Sequence, residues 1–227
     1  MELTILMPCL NEAASVTFCV REALAYLHSR GIRGEVLVAD NGSADGSRER
    51  AAAAGARVIT VPERGYGNAL RGGIAAAEGR YIIMGDCDGS YDFSDLDAIL
   101  EKLRLGSPLV VGDRFSGGIG RGAMPFSHRY IGVPLLSWLG RCRFGVDLAD
   151  FHCGLRGVDR AAALAAELRC GGMEFATEII GRFADAGREI AQVPVPLRKD
   201  LRKGRGHLRT VPDGLRHLAL ILFWKRK

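Results

Sequence analysis

Residues 80–90 read RYIIMGDCDGS, an apolar run of four residues that leads into two carboxylates one residue apart. A short apolar run that stops at a glycine-containing turn is typical of a strand buried on both faces. Similar runs recur along the chain, with helical segments between them, at Leu3–Met7, Val36–Ala39, Val58–Val61 and Leu109–Val111. This alternation predicts an α/β protein with a mostly parallel central sheet and helices on both of its faces.

The second half of the chain continues this pattern less regularly. Apolar periodicity predicts helices near residues 12–29, 45–54, 68–78, 95–104, 135–141, 160–168, 174–186 and 211–224. A last strand is predicted at Ile190–Leu197, and a dense basic stretch follows it at residues 198–209. We therefore expect a main domain of residues 1–197 and a C-terminal element of residues 198–227, which combines a basic loop with an amphipathic helix.

The composition is that of a globular protein with a basic surface. The 227 residues are 48% hydrophobic and carry a formal net charge of +5, which favours phosphate-bearing partners. Only 7% of the residues are aromatic and no recognition motif occurs, which argues against nucleic acid as a partner. The cysteines form no C-x-x-C pair, the N-terminus has no signal-peptide pattern, and no apolar window reaches the roughly 18 residues of a membrane span. We expect a cytoplasmic protein.

The strongest local motif is the turn at residues 85–90, which contains Asp86 and Asp88. Parallel sheets bind their ligands at the carboxyl ends of the strands, where this turn lies. Two carboxylates at one turn can hold Mg²⁺ or Mn²⁺ together with substrate phosphates, because these ions prefer oxygen ligands. The alternatives are a solvated acidic turn and a helix cap provided by Asp86.

Other polar residues follow the neighbouring strands. Asp40 ends a predicted buried strand, where its carboxylate can bind a nucleotide base or ribose, or can form an Asx-turn. Residues 65–68 open a helix, so their amides, including that of Gly67, can face phosphate. The basic stretch at 198–209 can close over a diphosphate, or it can be a solvated or nucleic-acid-binding arm.

The second half offers candidates for acid–base and surface roles. Residues 150–156, DFHCGLR, contain a Cys–His pair, but adjacent residues on a strand point to opposite faces, which argues against a cysteine nucleophile. Glu174 and Glu178 share one face of a predicted helix, where they can act as bases or favour the helix N-terminus. The terminal helix carries an apolar stripe flanked by cations, so it lies on an anionic membrane or packs on the domain.

Taken in order, these motifs resemble glycosyltransferase family 2, in the branch similar to dolichyl-phosphate mannosyltransferases and bacterial polyprenyl-phosphate glycosyltransferases. The resemblance covers nearly the whole chain, through PCLNE at 8–12, DNGS at 40–43, RGYGNA at 64–69, GDCDG at 85–89, GDRF at 112–115, DFHCGLR at 150–156, EFATE at 174–178 and RGHLR at 205–209. It implies the three-layer, Rossmann-like GT-A fold of nucleotide-diphospho-sugar transferases. It also implies inverting transfer of a hexose from a GDP- or UDP-sugar to a polyprenyl or dolichyl phosphate.

The matching motifs also imply roles for single residues. The residues that would hold Mg²⁺ or Mn²⁺ on the donor diphosphate are Asp86 and Asp88. The residues expected around the donor nucleotide and its diphosphate are Pro8, Asn11, Glu12, Asp40, Gly67 and Arg205, the last as part of a mobile lid. The expected ligands of the acceptor phosphate are Arg114, Arg129 and Arg156. The residues expected to take part in catalysis are Asp88, Arg114, Arg156 and Glu174.

Three departures from the family pattern qualify these roles. Asn41 replaces the usual second aspartate, His207 stands where mannosyltransferases often have serine, and the Gln-x-x-Arg-Trp motif of many transferases to sugar hydroxyls is absent. A hydroxyl acceptor needs a general base, whereas a lipid phosphate is already anionic and needs mainly positioning.

We therefore expect a polyprenyl-phosphate acceptor and a protein at the cytoplasmic face of the membrane, docked peripherally or held by a membrane partner. The alternatives are transfer to a soluble hydroxyl acceptor and a non-catalytic protein that binds nucleotide sugars.

Overall fold

The computed structural model describes residues 1–202 and 209–225, and within them a seven-stranded mixed sheet forms the centre of the molecule. Its strands are β1 (Leu3–Cys9), β2 (Gly34–Asp40), β3 (Arg57–Thr60), β4 (Tyr81–Met84), β5 (Leu109–Asp113), β6 (Arg156–Asp159) and β7 (Ile190–Pro194). They lie in the order β3-β2-β1-β4-β6-β5-β7, with β6 antiparallel to both of its neighbours. The sheet is therefore mostly parallel, as the apolar runs predict.

Helices cover both faces of this sheet. They are α1 (Val16–Ser29), α2 (Ser47–Ala53), α3 (Tyr66–Ala76), α4 (Asp97–Arg104), α5 (Arg114–Gly117), a π-helical segment (His128–Gly132) that continues into α6 (Val133–Phe144), α7 (Arg160–Ala165), α8 (Phe175–Asp185) and α9 (Thr210–Leu222). Leu27 of α1 packs over Gly34 on one face, and Gly73 of α3 packs over Leu6 on the other. The predicted three-layer α/β fold of the GT-A type is confirmed.

The largest departure from the predicted elements is β6. Its sequence, RGVD, contains a single large apolar residue, so it gives no apolar run, yet it pairs with both β4 and β5. Residues 150–155 form turns rather than a strand, so the strand geometry expected for the Cys–His pair was wrong. The predicted last strand also ends early, at Pro194 instead of Leu197.

The terminal helix α9 packs on the domain through α6 and α8. Just after it, Trp224 is buried, stacks edge-on against Phe144 and donates its indole N–H to Asp185 at 2.8 Å. The opposite side of α9 remains exposed, so one face is packed and one is free. None of the helices in the described part of the chain is long and apolar enough to cross a bilayer.

The close approach of α3 to β1 gives a stability prediction. A Cβ added at Gly73 would lie 2.3 Å from Cδ1 of the fully buried Leu6. We expect Gly73→Val to lower the free energy of unfolding by about 1–3 kcal/mol in urea denaturation, since overpacking a core costs about that much. Gly214→Ala is the control, because the added methyl meets no atom within 4 Å and should leave stability equal or higher. Equal losses in both variants would contradict this packing.

Candidate active site

A cavity of about 540 Å³ lies at the carboxyl ends of the central strands. Its floor is formed by the ends of β1 and β4, which contribute Pro8, Glu12, Asp86 and Asp88. The remaining walls are formed by loop 150–156, the first turns of α3 and α8, and the helices α6 and α9. The cavity therefore has a carboxylate-rich end at the sheet and extends to α6, which contributes Val133 and Leu136, and to α9, whose lining residues are mostly polar.

The Asp86–Asp88 pair lies at the polar end, where burial makes negative charge unfavourable. Burial and the nearby charge of Asp88 raise the pKa of Asp86 to about 6. Asp88 is 4% exposed, and one of its carboxylate oxygens accepts a hydrogen bond from the backbone N–H of Ser90 at 2.9 Å. The two buried carboxylates therefore favour a positive charge at this end of the cavity.

Arg202 supplies a counter-charge to this cluster. Its guanidinium forms ion pairs with Asp88 and, at 3.2 Å, with Glu12. Even so, burial raises the pKa of Glu12 to about 7, because Arg202 offsets only part of the cost. Arg202 belongs to the basic stretch for which the sequence predicts a charge-supplying role, but its partners could not be read from the sequence.

The Asp86–Asp88 pair fits a divalent cation that is bound together with substrate. Among residues 1–202 and 209–225, no group of three or more His, Cys, Asp or Glu side chains is arranged to hold a metal ion alone. Mg²⁺ and Mn²⁺ are commonly held by one or two carboxylates plus phosphate oxygens, which is the donor set available here.

The predicted nucleotide side of the site is only partly in the cavity wall. Pro8, Glu12 and Asn41 line the cavity, whereas Asn11 and Asp40 do not. Asp40 is fully buried and accepts hydrogen bonds from the amides of residues 42 and 43, so it forms the Asx-turn that was the alternative. Asn11 accepts a hydrogen bond from the amide of residue 44 and ties two loops together. Contact of these two side chains with the base remains a prediction that their positions do not support.

Gly67 has a packing role that the sequence did not reveal. A Cβ at this position would lie 2.2 Å from the carbonyl oxygen of Cys170 and 2.9 Å from that of Gly172. The glycine therefore allows α3 to pass beneath loop 170–172, and it does not line the cavity. The phosphate contact predicted for the amide of Gly67 stays a prediction.

The two glutamates of α8 differ in their surroundings. Both carboxylate oxygens of Glu178 accept hydrogen bonds from the amides of Arg169 and Cys170, so this side chain anchors the loop. One oxygen of Glu174 accepts a long hydrogen bond of 3.3 Å from the amide of Gly172. Glu174 lies behind the cavity wall, which Met173 and Phe175 form. Its role as a base stays a prediction.

Two predicted acceptor ligands, Arg114 and Arg156, line the cavity but are already bound to the protein. Arg114 donates to Asp150 through Nε at 2.6 Å and Nη2 at 2.9 Å. Arg156 is 2% exposed and donates to the carbonyls of residues 151, 153 and 176 at 2.6–2.7 Å. Both guanidinium groups therefore hold loop 150–156 in place and add positive charge to its wall.

The remaining predicted residues lie outside the cavity or outside the described residues. Arg129 is not in the wall, and its guanidinium stacks 5.4 Å from the ring centre of Tyr130. Arg205 and His207 fall outside the described residues. Cys153 is fully buried, and burial raises its pKa to about 12, so the argument against a cysteine nucleophile is supported on different grounds.

The raised pKa of Asp86 predicts a pH effect on stability. Between about pH 4 and 6 the folded protein keeps Asp86 protonated while an unfolded aspartate is ionised, so folding binds protons and stability falls as pH rises. With EDTA present, we expect Asp86→Asn to gain on the order of 1–2 kcal/mol relative to the wild type between pH 4 and 7, measured by urea denaturation. The exposed Asp95→Asn should show no such gain. If the free energy of unfolding changed with pH in the same way in the wild type and in Asp86→Asn, the raised pKa of Asp86 would be contradicted.

Comparisons with known proteins identify the family of the chain. The family model for glycosyl transferase family 2 matches residues 4–164. The low-salt glycan biosynthesis hexosyltransferase Agl6 of Haloferax volcanii is 37% identical over 97% of this chain, which spans about half (53%) of Agl6. A dolichyl-phosphate hexose transferase of the same organism is 31% identical over 74% of this chain and 71% of that protein.

A solved structure shares the fold. Glucosyl-3-phosphoglycerate synthase from Mycobacterium tuberculosis, in complex with Mn²⁺, UDP-glucose and phosphoglyceric acid, superposes with a TM-score of 0.70 at 23% identity, over 97% of this chain and 77% of that one. At this identity the similarity shows the fold alone. The family match and the identity to Agl6 over almost the entire chain show that the protein belongs to glycosyltransferase family 2.

Proposed function

We propose that the protein transfers a hexose, with inversion, from a GDP- or UDP-sugar to a polyprenyl or dolichyl phosphate, in a reaction that depends on Mg²⁺ or Mn²⁺. The observation that carries this proposal is a cavity that has a carboxylate pair at the sheet and extends to apolar side chains on and near α6, namely Met124, Val133 and Leu136. Such a cavity suits a charged donor at one end and an amphipathic acceptor at the other. The names of Agl6 and of the dolichyl-phosphate hexose transferase support the same class of reaction.

At the donor end, Asp86 and Asp88 would hold the metal on the nucleotide diphosphate, and Arg202 lies close enough to add positive charge. When bound, the divalent ion acts as a Lewis acid and neutralises the departing diphosphate. Glu12 lies beside the same group and would help to exclude bulk water from it. The bond that breaks joins the anomeric carbon to the diphosphate oxygen.

At the acceptor end, the lipid phosphate would attack the anomeric carbon from the opposite face. A phosphate oxygen is already anionic, so the step needs orientation rather than proton removal. Loop 150–156 favours such an anion. Among residues 1–202 and 209–225, one carboxylate pairs with Arg114, and the hydrogen bonds of Arg156 go to carbonyls. Glu174 does not line the cavity, which also favours an acceptor that needs no base.

A set of exposed apolar side chains on and next to α6 and α9 supports peripheral contact with the cytoplasmic face of a membrane. We call this surface the apolar ridge; its exposed side chains are Phe126, Tyr130, Ile131, Leu135, Trp138, Val211, Leu215, Leu222 and Phe223. Aromatic side chains next to cations are typical of segments that lie in the membrane interface, and Arg129 and Lys225 flank the ridge. The division into a catalytic domain at 1–197 and a lid and membrane element at 198–227 belongs to this proposal.

A second candidate is transfer to a soluble phosphorylated acceptor. It is favoured by the fold shared with glucosyl-3-phosphoglycerate synthase, whose structure contains phosphoglyceric acid. The two candidates use the same donor end and differ in whether the apolar ridge takes part in acceptor capture. Polyprenyl phosphate and 3-phosphoglycerate, assayed side by side with the same donor, separate them.

The first test addresses the carboxylate pair. In a thermal-shift panel of GDP- and UDP-sugars with Mn²⁺, the true donor at 100 times its Kd should stabilise the wild type by about 2.7 kcal/mol. We expect Asp88→Asn to lose this shift and to lower hexosyl transfer by at least about 100-fold, since it removes a ligand of the metal. The exposed Asp95→Asn should behave as the wild type. A full shift in Asp88→Asn that does not need Mn²⁺ would contradict the proposal.

The second test addresses the apolar ridge. We expect the wild type to co-sediment with vesicles that contain phosphatidylglycerol, and Trp138→Ser to bind them about 10-fold more weakly or worse, since burying a large apolar side chain contributes about 1.5–3 kcal/mol. Leu105→Ser is the matched control, because Leu105 is 75% exposed but belongs to the C-terminal end of α4. Equal losses in both variants, or none in Trp138→Ser, would show that the ridge does not contact the membrane.

A further inference from the structure

His152 is a polar residue in the cavity wall that the proposed reaction has not yet used. Both of its ring nitrogens are buried, and neither has a hydrogen-bond partner among residues 1–202 and 209–225. A neutral imidazole carries one N–H donor and one lone pair, and buried polar atoms are almost always paired in native proteins. An imidazole left unpaired beside a ligand cavity indicates that the ligand supplies the missing partner.

The His152 ring is held in position from two sides. It stacks edge-on against the ring of His217 at 4.5 Å, and Nδ1 of His217 is in turn hydrogen-bonded to Oγ1 of Thr177 at 2.8 Å. The backbone N–H of His152 donates to Asp150 at 3.0 Å, the same carboxylate that binds Arg114. The ring is therefore fixed before any ligand arrives, which reduces the entropy cost of binding.

The surroundings of His152 favour a hydrogen-bond donor over a base. Burial and the charges of His217, Arg156 and Arg114 lower its pKa well below the ordinary value, so the ring is neutral at physiological pH. A weakly basic imidazole is poorly suited to removing a proton from a hydroxyl group. It can still donate its N–H to an anion, and the two arginines on the same wall favour an anion there.

Loop 150–156 also lies against the metal carboxylates. A Cβ added at Gly154 would be 2.7 Å from Oδ2 of Asp86, and the amide of Gly154 donates to the hydroxyl of Tyr91 at 2.7 Å. This contact places loop 150–156, which carries His152, next to the donor end of the cavity. The acceptor phosphate must reach the same region to attack the sugar.

We propose that His152 donates a hydrogen bond to the phosphate monoester of the acceptor and thereby selects acceptors that carry this group. This inference rests on the proposed transferase function and assigns one residue to the recognition of its acceptor. The shared chemistry is the phosphate monoester, whether it belongs to a prenyl lipid or to a small soluble molecule.

The kinetic test replaces the imidazole by an apolar ring of similar shape. We expect His152→Phe to raise KM for polyprenyl phosphate about 10- to 100-fold, as for the loss of one hydrogen bond to a charged group, and to leave KM for the nucleotide sugar unchanged. The melting temperature should not fall, because the variant removes two unpaired buried nitrogens. His28→Phe, at an exposed position on α1, is the control. An unchanged acceptor KM, or equal rises in both KM values, would overturn the proposal.

A direct binding test does not depend on the folding of any variant. In protein labelled with ¹⁵N-histidine, geranyl phosphate should shift the ring-nitrogen signals of His152, whereas geraniol, which lacks the phosphate, should not. Titration with 3-phosphoglycerate distinguishes a soluble phosphate ester from a lipid one, and a shift with either ester supports the assignment. Equal shifts with geraniol and geranyl phosphate, or none with either ester, would overturn it. If the wild type binds donor but transfers hexose to neither ester, the proposed function fails while the binding result stands separately.

Discussion

The crowding of carboxylates at the carboxyl ends of β1 and β4 is the constraint on which the rest of the site depends. The two strands pair in parallel, so the turns that follow them bring Glu12, Asp86 and Asp88 into one cavity. Burial makes these charges costly, as the raised pKa values of Glu12 and Asp86 indicate. Arg202 offsets part of that cost through two ion pairs. The divalent ion of a bound donor diphosphate would add positive charge beside these carboxylates. Donor binding is therefore expected to depend on the same electrostatics.

The wall of the cavity formed by loop 150–156 carries positive charge. Arg156 is buried without a carboxylate partner among its described contacts, and three backbone carbonyls bind its guanidinium instead. Carbonyl dipoles accept hydrogen bonds from its N–H groups without cancelling its charge, so the wall keeps a positive charge. Asp150 joins this arrangement to Arg114 and to the backbone of His152. The cavity is thus polarised, with negative charge at the sheet and positive charge on loop 150–156, in the sense that a metal-bound donor and an anionic acceptor require.

The sequence predicts the features that follow from strand order and misses those that depend on tertiary contacts. Buried parallel strands are apolar throughout, so β1, β2 and β4 and the carboxylates after them are visible as runs with acidic ends. The strand β6 is not visible, because its four residues give no apolar run. Gly67 and Asp40 both match the family motifs. In the structure Gly67 allows a close backbone contact, and Asp40 forms an Asx-turn. The pairing of Arg202 joins residues 190 positions apart, a separation that no local pattern encodes.

The helix α6 carries apolar side chains both toward the cavity and toward solvent, a feature that the sequence did not predict. Its inner side contributes Val133 and Leu136 to the cavity, while Leu135 and Trp138 point outward and stay about half exposed. A helix that is apolar on two sides has no clear amphipathic period, so its sequence does not predict which side is buried. In a water-exposed protein such a helix indicates two apolar partners, one inside the domain and one outside it. The same helix contributes to both the cavity and the apolar ridge, as the proposed lipid acceptor would require for a phosphate in the cavity and a chain on apolar surface.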